Sequence, residues 1–437
     1  MFCVVVGDIV KSREISSEDR KKSNADLKTI LNKINNAHRL EIFAPFDLVR
    51  GDAIEGILYS IQFALPIIWK INQFMLENSH VCIRFCAVSG QLSCVSTDVD
   101  EADGPAFHAA MKELDRMKKS GSDDWFQISL QIKTEAQPLL DSTMALMGVL
   151  ANGWTDKQRN LIREMLDNTG TQNDLSKKLK VAPSVISKQL RASRYDAFKN
   201  ALESLEYYLN EVERSHMTSL EHSCTSYYSM ALRNFRTNAI TEAPELLIKA
   251  MKRASKELEG NSNALVPFYK SFAEISIEQL ENNCKKRIKN EKTGLCHVIN
   301  DESQEELASL KKKANEAIQM ASICQQYPKT GQMDYALLLL LRARLAKVDG
   351  NVEKTMDFFG KAYKYSVKAL GIDHPFSSEV KNRFLEWEGQ MREEKSQQQL
   401  QENTLPIKWG LEETPGNFIR NVQSMILEEQ GEWNVDW

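Results

Sequence analysis

The sequence predicts an N-terminal α/β domain followed by two all-α domains and an acidic tail. Short apolar runs alternate with helical periods over residues 1–150, which is typical of an α/β domain. Strand signals then stop, and residues 151–213 and 218–403 show helical patterns only. A length of 437 residues is enough for two to four domains, and an apolar fraction of 42% is enough for their cores.

Residues 1–150 contain strand and helix signals in the order β-α-β-β-α-β-α-β. The run FCVVVG predicts a buried central strand, and apolar residues at helical spacing predict a helix over 17–37. LEIFAPFDLV and AIEGILYS predict two strands joined by a turn at RGD, and a helix follows near 61–77. VCIRFCAVSG, GPAFHAAMKELDRMKKS and DWFQISL then predict a strand, a helix and a strand. This order indicates a ferredoxin-like α/β sandwich.

Residues 151–213 predict three helices with a basic surface. The first helix is expected to begin at Thr155 and the second after Thr171, and SVISKQLRAS predicts a third after the turn KVAPS. Residues 154–199 contain ten basic and five acidic side chains, so their net charge is +5 in a chain whose net charge is −4. A local excess of this kind is what binding to the DNA backbone requires.

The segment TQNDLSKKLKVAPSVISKQLRAS resembles the helix-turn-helix of bacterial regulators, and its helix over 183–194 is expected to lie in a DNA groove. We expect Val185, Ile186 and Leu190 to face inward. The residues expected to face the groove, here called the reading face, are Ser184, Ser187, Lys188 and Arg191. The alternative is a helix-turn-helix used only for dimerisation or protein docking.

Residues 218–403 predict a helical array. NAITEAPELLIKA and GNVEKTMDFFGKA each place two small residues seven positions apart, which lets paired helices approach closely. The second stretch continues into LGIDHP and resembles the end of a tetratricopeptide repeat (TPR) of the kinesin-light-chain kind. This resemblance implies stacked helix pairs whose concave groove holds a partner.

The tail, residues 404–437, differs in composition from the helical array. It contains two basic and six acidic residues, so its net charge is −4, and it holds Trp409, Trp433 and Trp437. The preceding stretch MREEKSQQQLQEN is polar and of low complexity, which predicts a linker or a fraying helix end.

Three observations favour a cytoplasmic protein without membrane contact. The N-terminus lacks the basic and apolar regions of a signal peptide. The most apolar window, AIEGILYSIQFALPIIWKI, is interrupted by Glu55, Gln62 and Lys70. The eight cysteines form no CxxC pair, which favours reduced, buried thiols.

The residues at the end of the first strand give the clearest indication of a functional site. Asp8 follows the buried run, at the strand end where α/β sheets build their sites, and Lys11 and Arg13 come next. Asp52 lies in the turn RGDA, and the two carboxylates converge if the strands are neighbours. Two carboxylates together with substrate phosphates suit Mg²⁺, and the two cations would hold phosphate. The alternative is that Asp8 caps a helix and Asp52 is only a turn residue.

Four motifs in sequence order resemble the class III nucleotide cyclase catalytic domain: VVVGDIVKSR, LVRGDAIEGIL, IRFCAVSGQL and GPAFHAAMKEL. More closely, the first 213 residues are similar to the SatD family, which pairs a cyclase-like domain with a terminal helix-turn-helix. The resemblance implies a homodimer, because cyclases of this type complete their site between two copies. It also implies a nucleoside triphosphate as ligand or substrate and Mg²⁺ as cofactor.

The resemblance implies roles for individual residues. Asp8 and Asp52 match the metal carboxylates of the family. The residues implied to bind nucleotide are Ile9, Lys11, Ser12, Arg13 and Arg50. His108 stands where the family has an Asn that orients the ribose, and Lys112 stands where it has an Arg that steadies the transferring phosphate; these two are the implied catalytic residues.

The implied site departs from the family in three places. His108 and Lys112 are both substitutions, and a Lys lacks the bidentate fork of an Arg. The position of a base-reading Lys in adenylyl cyclases, four before Asp52, is Leu48, so the sequence assigns no base. The metal carboxylates of the family are retained, whereas the two helix residues are changed. This combination favours nucleotide binding over efficient cyclisation.

The sequence therefore predicts a nucleotide- and Mg²⁺-responsive DNA-binding regulator with a partner-binding helical domain. One alternative is an active nucleotide cyclase or nucleotidyltransferase in a bacterial stress or defence pathway. The other is a protein-interaction scaffold with a degenerate cyclase fold.

Overall fold

The computed structural model describes most of the chain up to residue 401. The described ranges are 2–12, 14–49, 53–119, 126–132, 134–167, 171–218, 224–236, 243–258, 262–293, 301–324 and 332–401. The chain divides into two compact units, Met1–Ala264 and Leu265–Trp437. The described elements confirm an N-terminal α/β domain followed by helices alone.

A five-stranded mixed sheet forms the centre of the first unit. Its strands are β1 (Phe2–Ile9), β2 (Ile42–Val49), β3 (Ala53–Leu58), β4 (Ile83–Gly90) and β5 (Gln127–Gln131). Their spatial order is β2-β3-β1-β4-β5. The pairs β2–β3, β3–β1 and β1–β4 are antiparallel, and β4–β5 is parallel. The central strand β1 is apolar along nearly all its length because it lies between two other strands.

Four helices complete the α/β part of this unit. They are α1 (Ser17–Ala37), α2 (Ala64–Ser79), α3 (Pro105–Lys119) and α4 (Gln137–Asn152), with a short 3₁₀ turn over Ile61–Phe63 before α2. The order of strands and helices from β1 to β5 is the predicted one. Helix α1 begins where the Ser16 hydroxyl accepts a hydrogen bond from the Asp19 amide, at 3.1 Å.

Helix α4 covers the outer edge of β5 with two amide side chains. The Phe126 amide donates to Asn152 Oδ1 at 2.9 Å, next to the start of the strand. At the other end, Gln137 accepts from the Ile132 amide and donates to the Leu130 carbonyl, both at 2.8 Å. These bonds satisfy backbone groups that an open sheet edge leaves unpaired.

Four helices follow the sheet in the segment predicted as a helix-turn-helix. They are α5 (Asp156–Asp167), α6 (Gln172–Leu179), α7 (Pro183–Ala192) and α8 (Tyr195–Thr218). A capping box between Thr171 and Asp174 starts α6, and Lys180, at φ 53°, ends it. Pro183 then occupies the first turn of α7.

The buried stripe of α7 differs from the predicted one at a single position. Ile186 and Leu190 are buried, 1% and 4% exposed, as predicted. The prediction that Val185 faces inward was wrong, because its side chain is 48% exposed. Residues four apart share a helix face, so Ile186 and Leu190 define the inner stripe, and Val185 lies about 100° away from Ile186.

Two further helices, α9 (Cys224–Arg236) and α10 (Ala243–Glu257), belong to the first unit. The Tyr228 hydroxyl donates to the Leu40 carbonyl at 2.8 Å, and its ring lies 4.0 Å from that of Tyr59 between centroids. Arg236 forms an ion pair with the buried Glu41. The sequence places these helices in the array that starts at residue 218, whereas in the structure α9 contacts residues just before β2 and just after β3, and α10 packs on α9.

The second unit contains helices only, within the part of it that the structure describes. They are α11 (Ser262–Thr293), α12 (Asp301–Cys324), α13 (Gln332–Val348), α14 (Val352–Leu370) and α15 (Pro375–Gln401). Arg344, 2% exposed, forms hydrogen bonds to Glu281 at 2.8 and 3.1 Å and lies near Glu274. Thr355 and Ala362 are buried, as their spacing predicted. Among the described helices, none has both the length and the apolarity to cross a bilayer.

Candidate functional site

Asp8 lies near the end of the central strand, opposite Ala53 on β3 and Arg84 on β4. Its carboxylate contacts two cations: Oδ1 lies 3.2 Å from Lys118 Nζ, and Oδ2 lies 3.6 Å from an Arg84 guanidinium nitrogen. The Asp8 side chain is 17% exposed and that of Arg84 only 7%. The carboxylate therefore faces a buried cation on one side and a solvent-accessible cation on the other.

The loop after β1 is held by hydrogen bonds from both directions. The Val10 amide donates to the Cys82 carbonyl at 2.9 Å, and the Glu14 amide donates to the Lys11 carbonyl at 2.9 Å. Arg20, on α1, donates to the Ser12 carbonyl at 2.8 Å. Lys11 has φ 55°, a left-handed conformation that non-glycine residues adopt at tight turns. These hydrogen bonds hold residues 10–12 and 14 of the loop in place.

This loop and its neighbours enclose a cleft of about 720 Å³, here called the β1 cleft. Its lining residues are Asp8, Ile9, Lys11, Ser12, Glu14, Ile15, Arg20, Ser23, Asn24 and Lys118. Three of these are cations and two are acids, and Lys11 also lies 3.9 Å from Glu14. The cleft is polar, open to solvent and beside the N-terminus of α1, which are properties of anion-binding sites.

The structure brings four of the predicted site residues together and separates two others from them. Asp8, Ile9, Lys11 and Ser12 all line the β1 cleft. Arg13, Arg50 and Asp52 lie outside the described residues, although Asp52 directly precedes Ala53, the β3 partner of Asp8.

The two predicted catalytic residues, His108 and Lys112, are exposed on α3 and do not line the cleft. His108 Nε2 lies 3.3 Å from Asp103 Oδ1, in the loop before the helix. Lys118, which sequence reasoning missed, comes from the last turn of the same helix and reaches Asp8. The only sequence signal for it is the basic run Arg116, Lys118 and Lys119 at the helix C-terminus, which is common because of the helix dipole.

The described residues contain no group of three His, Cys, Asp or Glu side chains that could hold a metal ion by themselves. Asp8 is the one described carboxylate at the end of β1, and two cations already contact it. A divalent ion would therefore need ligands from a bound phosphate, from Asp52, or from both.

The reading face is mostly open to solvent. Ser184, Lys188 and Arg191 are exposed and Ser187 is half-buried. Neither Lys188 nor Arg191 has an acidic partner within 4 Å among the described residues, whereas Arg159, Arg163, Lys178 and Lys199 form ion pairs elsewhere on these helices. Lys157, Lys177, Lys180 and Arg194 likewise have no acidic partner within 4 Å among the described residues, so the unpaired positive charge is spread over the whole segment and includes Lys188 and Arg191 on α7. Trp154 attaches this segment to the core through its ring, 6.2 Å from that of Trp69 on α2 between centroids, and its Nε1 donates to the Ser193 carbonyl at the end of α7 at 2.8 Å.

Comparison with known proteins gives one match. Residues 2–203 match the family model described as the SatD family, somewhat less than half of the 437 residues. No curated protein and no solved structure with which the chain was compared gives a significant match. The matched range covers the sheet, the β1 cleft and helices α5 to α7 in full. The resemblance to the SatD family is therefore confirmed over this segment: residues 2–203 are similar to that family.

Proposed function

We propose that this protein is a nucleotide-responsive, DNA-binding regulator whose β1 cleft binds a nucleoside triphosphate with Mg²⁺. The observation that carries the proposal is that Lys11, Arg20 and Lys118 line one cleft with the Asp8 carboxylate at the end of the central strand. Three cations beside the carboxylates of Asp8 and Glu14 suit a ligand that is itself a polyanion carrying a divalent ion.

The strand topology supports a ferredoxin-like, cyclase-like fold for the domain. Four strands in the order β2-β3-β1-β4, all antiparallel to their neighbours, with helices α1 and α2 as the crossovers, are the arrangement of a split βαβ sandwich. In this arrangement β1 is central, and a loop leads from its end to the N-terminus of α1. That loop is where the family resemblance implies the phosphate site.

The cleft offers two kinds of phosphate contact. Lys11 and Lys118 supply mobile ammonium groups that neutralise charge without a fixed geometry. Arg20 donates to the Ser12 carbonyl and so supports the loop as well as carrying charge. Together they favour the triphosphate part of a ligand over an uncharged nucleoside.

Mg²⁺ fits this site best as part of a metal–phosphate complex. Asp8 would supply one carboxylate oxygen and Asp52 is the proposed second ligand, while phosphate oxygens and water would complete the six ligands that Mg²⁺ requires. Lys118 has to release Asp8 for this to happen, because it contacts the same carboxylate at 3.2 Å. The ion, when bound, neutralises the triphosphate.

Binding is favoured over cyclisation because the predicted catalytic pair is away from the cleft. His108 and Lys112 are exposed and do not line it. The active nucleotide cyclase or nucleotidyltransferase remains the second candidate through the implied homodimer, since a second copy would supply the missing half of the site. A scaffold with a degenerate cyclase fold is the third.

The other parts of the chain complete the proposal. The exposed, unneutralised cations Lys188 and Arg191 support DNA contact by α7. The all-helical second unit supports a TPR-like domain that receives a protein or peptide. A cytoplasmic location and a homodimer are parts of the same proposal.

Calorimetric titration of the full chain with each ribonucleoside triphosphate, with and without Mg²⁺, tests nucleotide binding. We expect one nucleotide to bind, with affinity reduced about tenfold by Lys11→Ala, which removes one charge-assisted contact. Lys28→Ala, an exposed lysine further along α1, is the matched control and should leave the affinity unchanged. If no triphosphate binds in either condition, the proposal is wrong.

The same mixtures, separated by chromatography, test the second candidate. A cyclic or linear nucleotide product that disappears with Asp8→Ala would establish an enzyme and overturn the preference for binding. We expect the triphosphate to be recovered unchanged.

A further inference from the structure

The second unit contains a positively charged groove, here called the α12–α14 groove. It has a volume of about 710 Å³ and lies between α12 and α14 over α13. Its charged lining residues are Lys311, Lys312, Arg342, Lys354 and Asp349, with a net charge of +3. The protein as a whole has a net charge of −4, so the charge of this groove is opposite in sign to that of the whole chain.

Among the residues that the structure describes, two of the groove lysines have no acidic partner within 4 Å. Lys311 forms an ion pair with Asp349, and Arg342 donates to the Ser322 hydroxyl at 3.3 Å. Lys312 and Lys354 are exposed and lie beyond 4 Å from any acidic side chain among the described residues. They stand on different helices, α12 and α14, and both line the groove.

The floor of the groove is apolar. Ile318, Leu345 and Ala346 are buried, and Phe358 is half-buried at the side. A rim of cations around an apolar floor matches a ligand that carries both acidic groups and large apolar side chains. Tryptophan is the residue most enriched among those that dominate binding at such sites.

We propose that the acidic tail of this chain, residues 404–437, occupies the α12–α14 groove. The tail contains six acidic residues against two basic ones, and Trp433 lies directly after Glu432 and three residues before Asp436. Its charge of −4 complements the +3 of the groove, and its tryptophans suit the apolar floor.

The point of attachment makes the intramolecular contact feasible. The tail follows α15, which packs on α14 through the stacked rings of Phe359 and Phe384, 5.4 Å apart between centroids. The adjacent residue Phe358 lines the groove. An extended chain spans about 3.3 Å per residue, so about thirty residues reach much further than the width of one helix pair. A tethered segment also binds at a high effective concentration, so modest contacts suffice.

Zero-length carbodiimide cross-linking of the full chain, followed by peptide mass spectrometry, tests this directly. We expect links from Lys312 and Lys354 to Glu428, Glu429, Glu432 or Asp436, lost in 1 M salt, where charges are screened within about 3 Å. Mixing isotope-labelled and unlabelled protein separates links within one molecule from links between copies. Links formed only between copies, or groove lysines linked only to acids outside residues 404–437, overturn the proposal.

A competition experiment gives a second readout. A labelled peptide of residues 404–437 should bind the full chain weakly, and about tenfold more tightly when Glu428, Glu429 and Glu432 are all changed to Gln in the chain, because the groove is then open. Adding Lys312→Glu and Lys354→Glu to that variant should abolish the gain. Lys364→Glu, an exposed position on α14 outside the groove, is the matched control and should preserve it. Equal peptide affinity for the wild type and the Glu→Gln variant would contradict a groove occupied by its own tail.

Discussion

The Asp8 carboxylate lies 3.2 Å from the Lys118 ammonium, which joins the end of the central strand to the last turn of α3. This contact places a cation at the carboxylate that is proposed to hold a divalent ion. Arg84 holds the other carboxylate oxygen from the buried side. Lys118 is half-exposed and its ammonium group sits on a flexible four-carbon side chain. It is therefore the partner of Asp8 that the proposed metal–phosphate ligand would displace.

Replacing Lys118 should therefore strengthen divalent-ion binding at Asp8. We expect Lys118→Gln to bind Mn²⁺, a spectroscopic substitute for Mg²⁺, about tenfold more tightly in the absence of nucleotide, because the ion no longer competes with an ammonium group. Electron paramagnetic resonance of free Mn²⁺ measures this affinity. Lys119→Gln removes the same charge from the next position and should have little effect. An unchanged Mn²⁺ affinity in Lys118→Gln would contradict the competition.

Removing the Asp8 charge should destabilise the folded protein. Asp8→Asn leaves the buried Arg84 guanidinium without its carboxylate, and we expect the free energy of unfolding to fall by about 2 kcal/mol. Arg84→Met in the Asp8→Asn background should recover part of this loss, since the uncompensated buried charge is gone. Urea denaturation of the single and double variants measures both effects. The interpretation fails if Asp8→Asn is as stable as the wild type.

Arg191→Ala should weaken DNA binding and its salt dependence together. Each phosphate contact contributes about one unit to the slope of log affinity against log salt, so loss of one contact should reduce the slope by roughly one. We expect the affinity to fall about tenfold at low salt in a gel-shift titration. Lys249→Ala, an exposed lysine on α10, serves as the charge-matched control. If neither the wild type nor the Lys249→Ala control shifts any DNA duplex at low salt, the DNA-binding part of the proposed function is wrong.

His38 should make stability depend on pH. Burial, with help from Lys70 and Arg236, lowers the pKa of His38 from 6.5 to about 4. Glu41, 3.8 Å from Nδ1, is the acidic group beside it, and Arg236 pairs with the same carboxylate. Because the folded-state pKa is below the unfolded value, stability is complete above about pH 6.5 and is lost as the pH falls toward 4.

The expected size of that loss is about 3 kcal/mol over the full range, since one pKa unit corresponds to about 1.4 kcal/mol. Urea denaturation at several pH values between 7 and 4 would measure it. His38→Gln should remove this part of the pH dependence while leaving the acid sensitivity of the carboxylates. If the free energy of unfolding falls with pH in the same way in the wild type and in His38→Gln, His38 is not the source of this pH dependence.

Secondary structure in the first domain was predictable because its signals are local. The run FCVVVG is buried as β1, and the helical spacing of Leu27, Ile30, Leu31 and Ile34 forms the buried stripe of α1. Asp8 at the end of β1 was also predictable, since a charged residue directly after a buried run marks a strand end.

Contacts between distant segments were not predictable in this way. The family resemblance directed attention to Lys112, whereas Lys118, six residues and about 9 Å further along the helix axis, is the lysine that reaches Asp8. The exposure of Val185 depends on which neighbours cover α7, and a hydrophobic residue next to the buried stripe gives no sign of that by itself. The packing of Tyr228 on Tyr59 likewise joins segments that the sequence pattern assigns to different domains.

The sequence by itself determined the order of strands and helices in the first domain, most of their apolar faces, the similarity of residues 2–203 to the SatD family and the positions of the charged segments. These properties follow from the periodicity of neighbouring residues and from composition. Only the tertiary structure decided which cations surround Asp8, which helices pack on the sheet and where the cationic groove lies. Those outcomes depend on how helices cross the sheet and each other, because a few degrees of crossing angle move a side chain at the end of a helix from one partner to another.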